Sequence, residues 1–381
     1  MKIRALDTET PKFDKKEVWR GNPYGDPRSI VCWSYTDWNE KGHAVMWGEH
    51  SSADVQAIVD DCDLVVFFNG KHDVAWLRKH GVDFTNVKVW DVQLGEFVLG
   101  RQLNKFPSLD DTCVKYGLPP KIDVVKLEYW DKGIDTCDVP PDVLLPYAAL
   151  DSELTLKCYH KQLACLTPAQ RVLVSLMSQD MLVLQEMEQN GLVYNHTLCE
   201  ERSKQLDQET HALTGALSAT YPSVPINFNS GDHLSAFLYG GTIKEEYKEH
   251  IGFYKTGLKA GEPKYKNSVK EHFLPQLFKP LEKTELQKEG FYETNEGVLK
   301  KLKGKNKPVL DKLMQLAKMD KLNGTYYVGL NTLNANMKWE PGKLHGQFNQ
   351  CLASTGRLSS SKPNQQNFAG DILDIFTSRF K

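Results

Sequence analysis

Residues 64–68, Leu-Val-Val-Phe-Phe, form an unbroken apolar run closed by Asn69-Gly70. A run this short, β-branched and aromatic reads as a strand buried on both faces, in the parallel-sheet manner; a half-solvated strand would alternate. Such a strand needs helices on either side and partners to pair with. The neighbouring sequence offers both. Residues 1–7 are a second short apolar run ending in acids, and residues 29–38 and 42–47 alternate with aromatic and β-branched side chains, as an antiparallel meander does. Residues 51–62 read as a helix with a serine cap, and further helices are expected over 71–80, 91–100, 108–116 and 141–163. The first 163 residues are therefore expected to form an α/β domain, a mixed sheet with flanking helices.

From Thr167 the pattern changes to long amphipathic helices. Leu173, Leu176, Met177, Met181, Leu184 and Met187 recur at helical spacing, and Asn190-Gly191 stops them. Another helix is expected over 196–220. Residues 240–292 are rich in Lys, Gly and Tyr, with 255–263 reading as a loop, and helices resume over 295–303 and 306–333. Residues 344–381 turn strand-like and rich in Asn, Ser and Gln. The net charge of −2 hides an asymmetry: residues 1–163 hold 20 basic against 26 acidic residues, and residues 243–321 hold 18 against 12. The basic segment suits phosphate contacts, although a solvated helical surface has the same look.

No apolar stretch is long enough to cross a bilayer. The chain opens Met1-Lys2-Ile3-Arg4-Ala5-Leu6-Asp7, so a carboxylate arrives before any signal-peptide core. The eight cysteines are scattered without CxxC spacing, which excludes a zinc cluster and fits reduced thiols. A cytoplasmic protein is expected, with no membrane partner.

Three short motifs carry chemistry. Asp7-Thr8-Glu9-Thr10 closes the first strand, and alternation puts Asp7 and Glu9 on one face, where both can approach a cation. Alone, such a pair arises by chance about once in a chain of this size. Asn69-Gly70-Lys71-His72-Asp73 follows the buried strand and sets Asp73 in the first turn of a helix, where it would also stabilise the helix N-terminus without any catalytic role. Tyr147 and Asp151 lie four apart on a helix and share a face, although a tyrosine there can equally be core. Together the motifs, at intervals of about 65 and then about 78 residues, supply four carboxylates and a phenol. Clustered carboxylates repel unless cations neutralise them, which points to hard divalent ions. Two such ions about 4 Å apart can stabilise both oxygens of a phosphodiester hydrolysis.

This set resembles the DEDDy exonucleases, whose fold is ribonuclease-H-like. The resemblance implies Asp7, Glu9, Asp73 and Asp151 as ligands of two Mg²⁺ or Mn²⁺ ions, with Tyr147 orienting the attacking water. It implies contacts to a single-stranded DNA 3′ end from Thr8, Thr10 and Asn69. His72 stands where the family usually has an aromatic or apolar residue.

The downstream sequence is similar to family A DNA polymerases, bacterial polymerase I and its phage relatives. Gln185–Asn195 looks like their first thumb helix and turn, and Asn227–Leu234 resembles an N-x-N-S-x-x-Q-L segment with His233 for Gln. Lys321-Leu-Asn323-Gly-Thr325-Tyr326 resembles a K-L-x-x-T-Y thumb motif. Thr355–Asn367, thirteen residues, matches the element that grips the primer–template junction, and implies contacts from Arg357, Asn364, Gln365 and Asn367. The resemblance implies an exonuclease over 1–163, a mainly helical thumb over 164–344 with an insertion near 243–290, and the start of a palm over 345–381. Residues 243–290 are expected to be a solvated connector, or a surface for duplex DNA or a processivity partner. The polymerase carboxylate motifs are not found, so a split or truncated polymerase is expected, completed by a palm-and-fingers chain. The other class of reading is a DNA-binding or docking subunit with little exonuclease activity, and a preference for RNA 3′ ends would mark an RNA-processing enzyme instead.

Overall fold

The expected buried strand is β4 (Leu64–Phe67), inside a five-stranded mixed sheet. In this computed structural model, residues 1–12, 16–101, 107–119, 124–257, 259, 261–368 and 370–378 are described. β1 (Ile3–Glu9) lies at the centre of the order β3-β2-β1-β4-β5, with β2 at Cys32–Thr36, β3 at Gly42–Met46 and β5 at Val89–Asp91. β1 runs antiparallel to β2 and parallel to β4, and β5 is parallel to β4. Successive side chains of β4 enter different cores: Val65 and Phe67 pack with Leu6, Trp33 and Trp76, and Val66 packs with Ala5, Trp90 and Leu154. This two-sided burial is why the run carries no polar position. Each such side chain contributes about 1.5–3 kcal/mol.

The helices are α1 (Ser51–Asp60), α2 (Lys71–Lys79), α3 (Val92–Leu99), α4 (Leu109–Lys115), α5 (Val124–Glu128), α6 (Pro141–Cys165) and α7 (Pro168–Asn190). The expected serine cap of α1 does not form: His50 occupies the cap position, and the Ser51 hydroxyl accepts from the Gly48 N–H. α7 begins with a capping box, Thr167 and Gln170, and ends at Gly191, whose φ is +67°. β5 precedes the helix expected over 91–100 and is absent from the sequence reading, because three residues are too few to show a period.

Two compact units emerge: Met1–His196 with Leu330–Lys381, and Thr197–Gly329. Residues beyond 330 thus join the unit that bears the sheet. There Gln347–Asn349 pairs antiparallel with Ser359–Ser361, and Leu192–Val193 pairs with Lys343–Leu344. The second unit has helices His196–Ser218 (from Thr197), Gly231–Tyr239 and Lys307–Lys321, followed by a π-helical turn, Leu322–Tyr327. Its Lys-, Gly- and Tyr-rich stretch is no irregular connector. It forms a ribbon, Gly241–Phe253 against Pro263–Leu274, rooted by buried Ile243 and Leu274. Lys, Glu and Tyr occupy both faces of the ribbon, so no apolar alternation marks it in the sequence. None of the eight cysteines, all of them described, is joined in a disulfide. Among the described residues no helix is long and apolar enough to cross a membrane.

Candidate active site

The carboxyl ends of β1 and β4 open onto a cavity of about 340 Å³, lined by Asp7, Thr8, Glu9, Thr10, Asn69, Asp73 and Asp151 among others. Its floor follows from strand alternation. Ala5 packs in the core that contains α6 residues and Leu6 in the core that contains α2 residues, so Asp7 and Glu9 point toward α6 and Thr8 toward α2. From α6, Asp151 meets them: one ligand atom each of Asp7, Glu9 and Asp151 lies within 4.8 Å of the others. Glu9 and Asp151 are buried and Asp7 is half-buried. The negative field of the trio is felt by its neighbour Cys32, whose thiol proton is held more tightly by burial and then by the charges of Glu9, Asp7 and Asp151. Three converging carboxylate oxygens are a donor set for a hard divalent cation.

Asp73 reaches the same cavity from the opposite face. Buried in the first turn of α2, it accepts from the Thr8 N–H at 2.9 Å and from the Thr8 hydroxyl at 2.7 Å. Burial raises its proton affinity, against the two Thr8 bonds. Of the four carboxylates, the structure therefore gathers three and engages the fourth with the strand between them. The turn leading to α2 is made by Asn69, whose φ is +60°, and by Gly70, where a Cβ would stand 2.3 Å from the Phe67 Cβ. Only glycine fits there.

Tyr147 is 8% exposed and does not line the cavity; its ring lies edge-on to Trp130, which does. Of the residues expected to touch a DNA end, Thr8 is buried and bonded to Asp73, whereas the Thr10 hydroxyl meets His72 Nε2 at 2.9 Å. Sequence reasoning missed Asp91, Trp130 and Lys12. The Lys12 amine sits 4.0 Å above the Trp130 ring, at the cavity wall. Asp91 is signalled only as an acid between a strand and a helix, a common cap.

The other expected contacts fall in two places. Arg357, Asn364 and Asn367 are exposed in the sheet-bearing unit, and Gln365 is half-buried there. Asn364 caps the short turn Gln365–Asn367. Lys321 and Thr325 are exposed in the second unit, where Tyr326 is buried and Asn323 donates to Asp207 at 2.7 Å.

Residues 36–164 match the family described as 3′-5′ exonuclease, and residues 260–375 match DNA polymerase family A. Asp73, Tyr147 and Asp151 fall within the first match, whereas Asp7 and Glu9 precede it. DNA polymerase I of Synechocystis sp. is 28% identical over 309 residues, which cover 79% of this chain and 26% of that protein. The thermostable DNA polymerase I of Thermus filiformis is 31% identical over 185 residues, 49% of this chain and 17% of its own length. The chain thus spans about a quarter or less of the relatives it matches. In fold it is similar to the POL domain of Pol1 from M. smegmatis, solved in complex with DNA primer-template and dNTP, with a TM-score of 0.64 at 18% identity over 96% of this chain and 52% of that one. With a 3′-5′ exonuclease match over the sheet-bearing region and a DNA polymerase family A match downstream of it, the chain is similar in both segments to the DNA polymerase I relatives.

Proposed function

We propose that this chain shortens DNA from its 3′ end, as the proofreading exonuclease of a polymerase, with Mg²⁺ or Mn²⁺ at two positions. The observation that carries the reading is the meeting of Asp7, Glu9 and Asp151 at the carboxyl edge of the sheet, beside buried Asp73. Ions held there would supply charge stabilisation to the attacking and leaving oxygens. Asp7, Glu9, Asp73 and Asp151 would hold them, and Asp73 also fixes the strand that presents Asp7 and Glu9. The Tyr147 hydroxyl accepts a hydrogen bond from the attacking water and aims it at phosphorus. Water adds to the terminal phosphodiester, the bond from phosphorus to the 3′ oxygen of the preceding nucleotide breaks, and a deoxynucleoside 5′-monophosphate leaves.

Thr10 and Asn69 face the strand end, while Arg357, Asn364, Gln365 and Asn367 hold the primer–template with little sequence preference. Lys321 and Thr325 add contacts to the duplex from the second unit. A separate palm-and-fingers chain or a downstream portion supplies those parts, the ribbon offers a processivity partner its surface, and the work is done in the cytoplasm of a bacterium or an infected host cell. The test is digestion of 5′-labelled single-stranded DNA by the purified chain with each ion. A ladder of shortened products is expected with Mg²⁺ and with Mn²⁺. Intact DNA under both conditions, or faster loss of RNA ends, would overturn the reading.

A further inference from the structure

We infer that Asp91 is a positioning residue of the exonuclease site, holding the carboxylates in register through a relay of hydrogen bonds that ends on β1. Asp91 closes β5 opposite Phe67 and is 2% exposed. Its carboxylate accepts four backbone N–H groups: Gly70 at 2.7 Å and Asn69 at 3.4 Å on one side, Gln93 at 2.8 Å and Leu94 at 3.1 Å on the other. The second pair is an ordinary helix cap for α3. The first pair is not. It ties the left-handed turn at Asn69-Gly70 to the neighbouring strand, and that turn launches α2.

From α2 the relay continues. Two residues beyond the turn's helix start, Asp73 grips Thr8 by its N–H and its hydroxyl. Thr8 stands between Asp7 and Glu9 on the other face of β1, so its placement sets the height and spacing at which those two carboxylates meet Asp151. A residue that caps α3 alone needs no reach to Gly70; serine serves as well. The buried carboxylate, with two oxygens able to serve two sides at once, does what serine cannot.

The inference rests on the exonuclease reading only for its activity measurement. The variants are Asp91→Asn and Asp91→Ser, the latter keeping a cap for α3 while releasing the turn. Val89→Ala, which opens a cavity in the same strand, is the comparator for simple destabilisation. Three quantities are measured: Gly70 amide hydrogen exchange, Mn²⁺ affinity by electron paramagnetic resonance of the free ion, and kcat and KM on single-stranded DNA. Both Asp91 variants are expected to speed Gly70 exchange, weaken Mn²⁺ binding and lower kcat, the last two by about 10-fold or more, with KM nearly unchanged. Val89→Ala, at an equal loss of Tm, is expected to move none of them. Asp91→Ser matching Val89→Ala in all three overturns the proposal and leaves Asp91 a cap. If the unsubstituted chain binds Mn²⁺ but leaves DNA intact, the exonuclease reading fails while the Mn²⁺ and exchange data still judge the relay.

Discussion

The carboxylate of Asp73 takes two hydrogen bonds from a single residue, Thr8, one from its backbone and one from its side chain. It thereby locks the first turn of α2 to the carboxyl end of β1. The consequence is an asymmetric site, with three carboxylates meeting on one face of β1 and the fourth fastened from the other.

Thr8→Val keeps the shape of the side chain and removes only the hydroxyl, leaving a buried carboxylate short of one donor. A loss of about 1–3 kcal/mol is expected in chemical unfolding. Asp73→Asn paired with Thr8→Val should recover part of it, because the charge that needs the donor is then absent. A double-mutant cycle reads the coupling directly, and additive losses would show that the hydroxyl bond contributes nothing.

Asp7, Glu9 and Asp151 repel one another without a cation. Divalent ions are therefore expected to raise Tm, by mass action on a site that only the folded chain assembles. In EDTA, Asp7→Asn should be neutral or slightly stabilising, since it relieves that repulsion, and it should lose the Mg²⁺-dependent rise in Tm. Calorimetry with and without Mg²⁺ checks both. An unchanged rise in the variant would place the ion elsewhere.

Tyr147→Phe removes one oxygen from a ring packed edge-on to Trp130. Packing and ion binding are expected to persist, and kcat on single-stranded DNA to fall by about 10²-fold or more, in the range of general acid–base effects. Equal rates would take the phenol out of the reaction.

Much of this site is legible in the sequence, because its parts sit where strands and helices change over. Asn69-Gly70 announces a turn, and the structure shows why each residue is needed: one at φ +60°, the other against Phe67. The two-sided burial of β4 is legible from its lack of polar residues. The separation of Asp73 from the other three acids is not, since it depends on which face of β1 each helix covers, a tertiary choice. Asp91 is hidden for a similar reason, as its bonds from Gly70 and Asn69 cross from β5 to a turn about 20 residues earlier. The ribbon at 241–274 is invisible because both of its faces meet solvent, so nothing selects an apolar period.

The last prediction concerns Lys71, two residues before Asp73. Its amine donates to Glu188 of α7 at 2.8 Å and to the Phe348 carbonyl at 2.6 Å, and the Phe348 N–H donates to the same Glu188 oxygen at 2.6 Å. Glu188 is buried, and burial raises its proton affinity even with Lys71 beside it. Lys71→Met leaves that carboxylate without its cation, at a cost of about 3–5 kcal/mol near neutral pH. The sign with pH follows from proton linkage. A carboxyl whose folded pKa lies above its unfolded value binds more protons in the native state, so stability falls as pH rises from the unfolded value toward the folded one. Losing Lys71 raises the folded value further, so the penalty should be smaller at pH 5 than at pH 7.5, where the unfolded chain is ionised and the native site resists ionisation. Lys71→Met with Glu188→Gln should abolish the extra pH dependence, because the carboxyl that the amine neutralises is then gone. Urea unfolding at the two pH values decides it: an equal penalty at both would mean that Glu188 stays ionised without Lys71 and that solvent, not the amine, supports its charge.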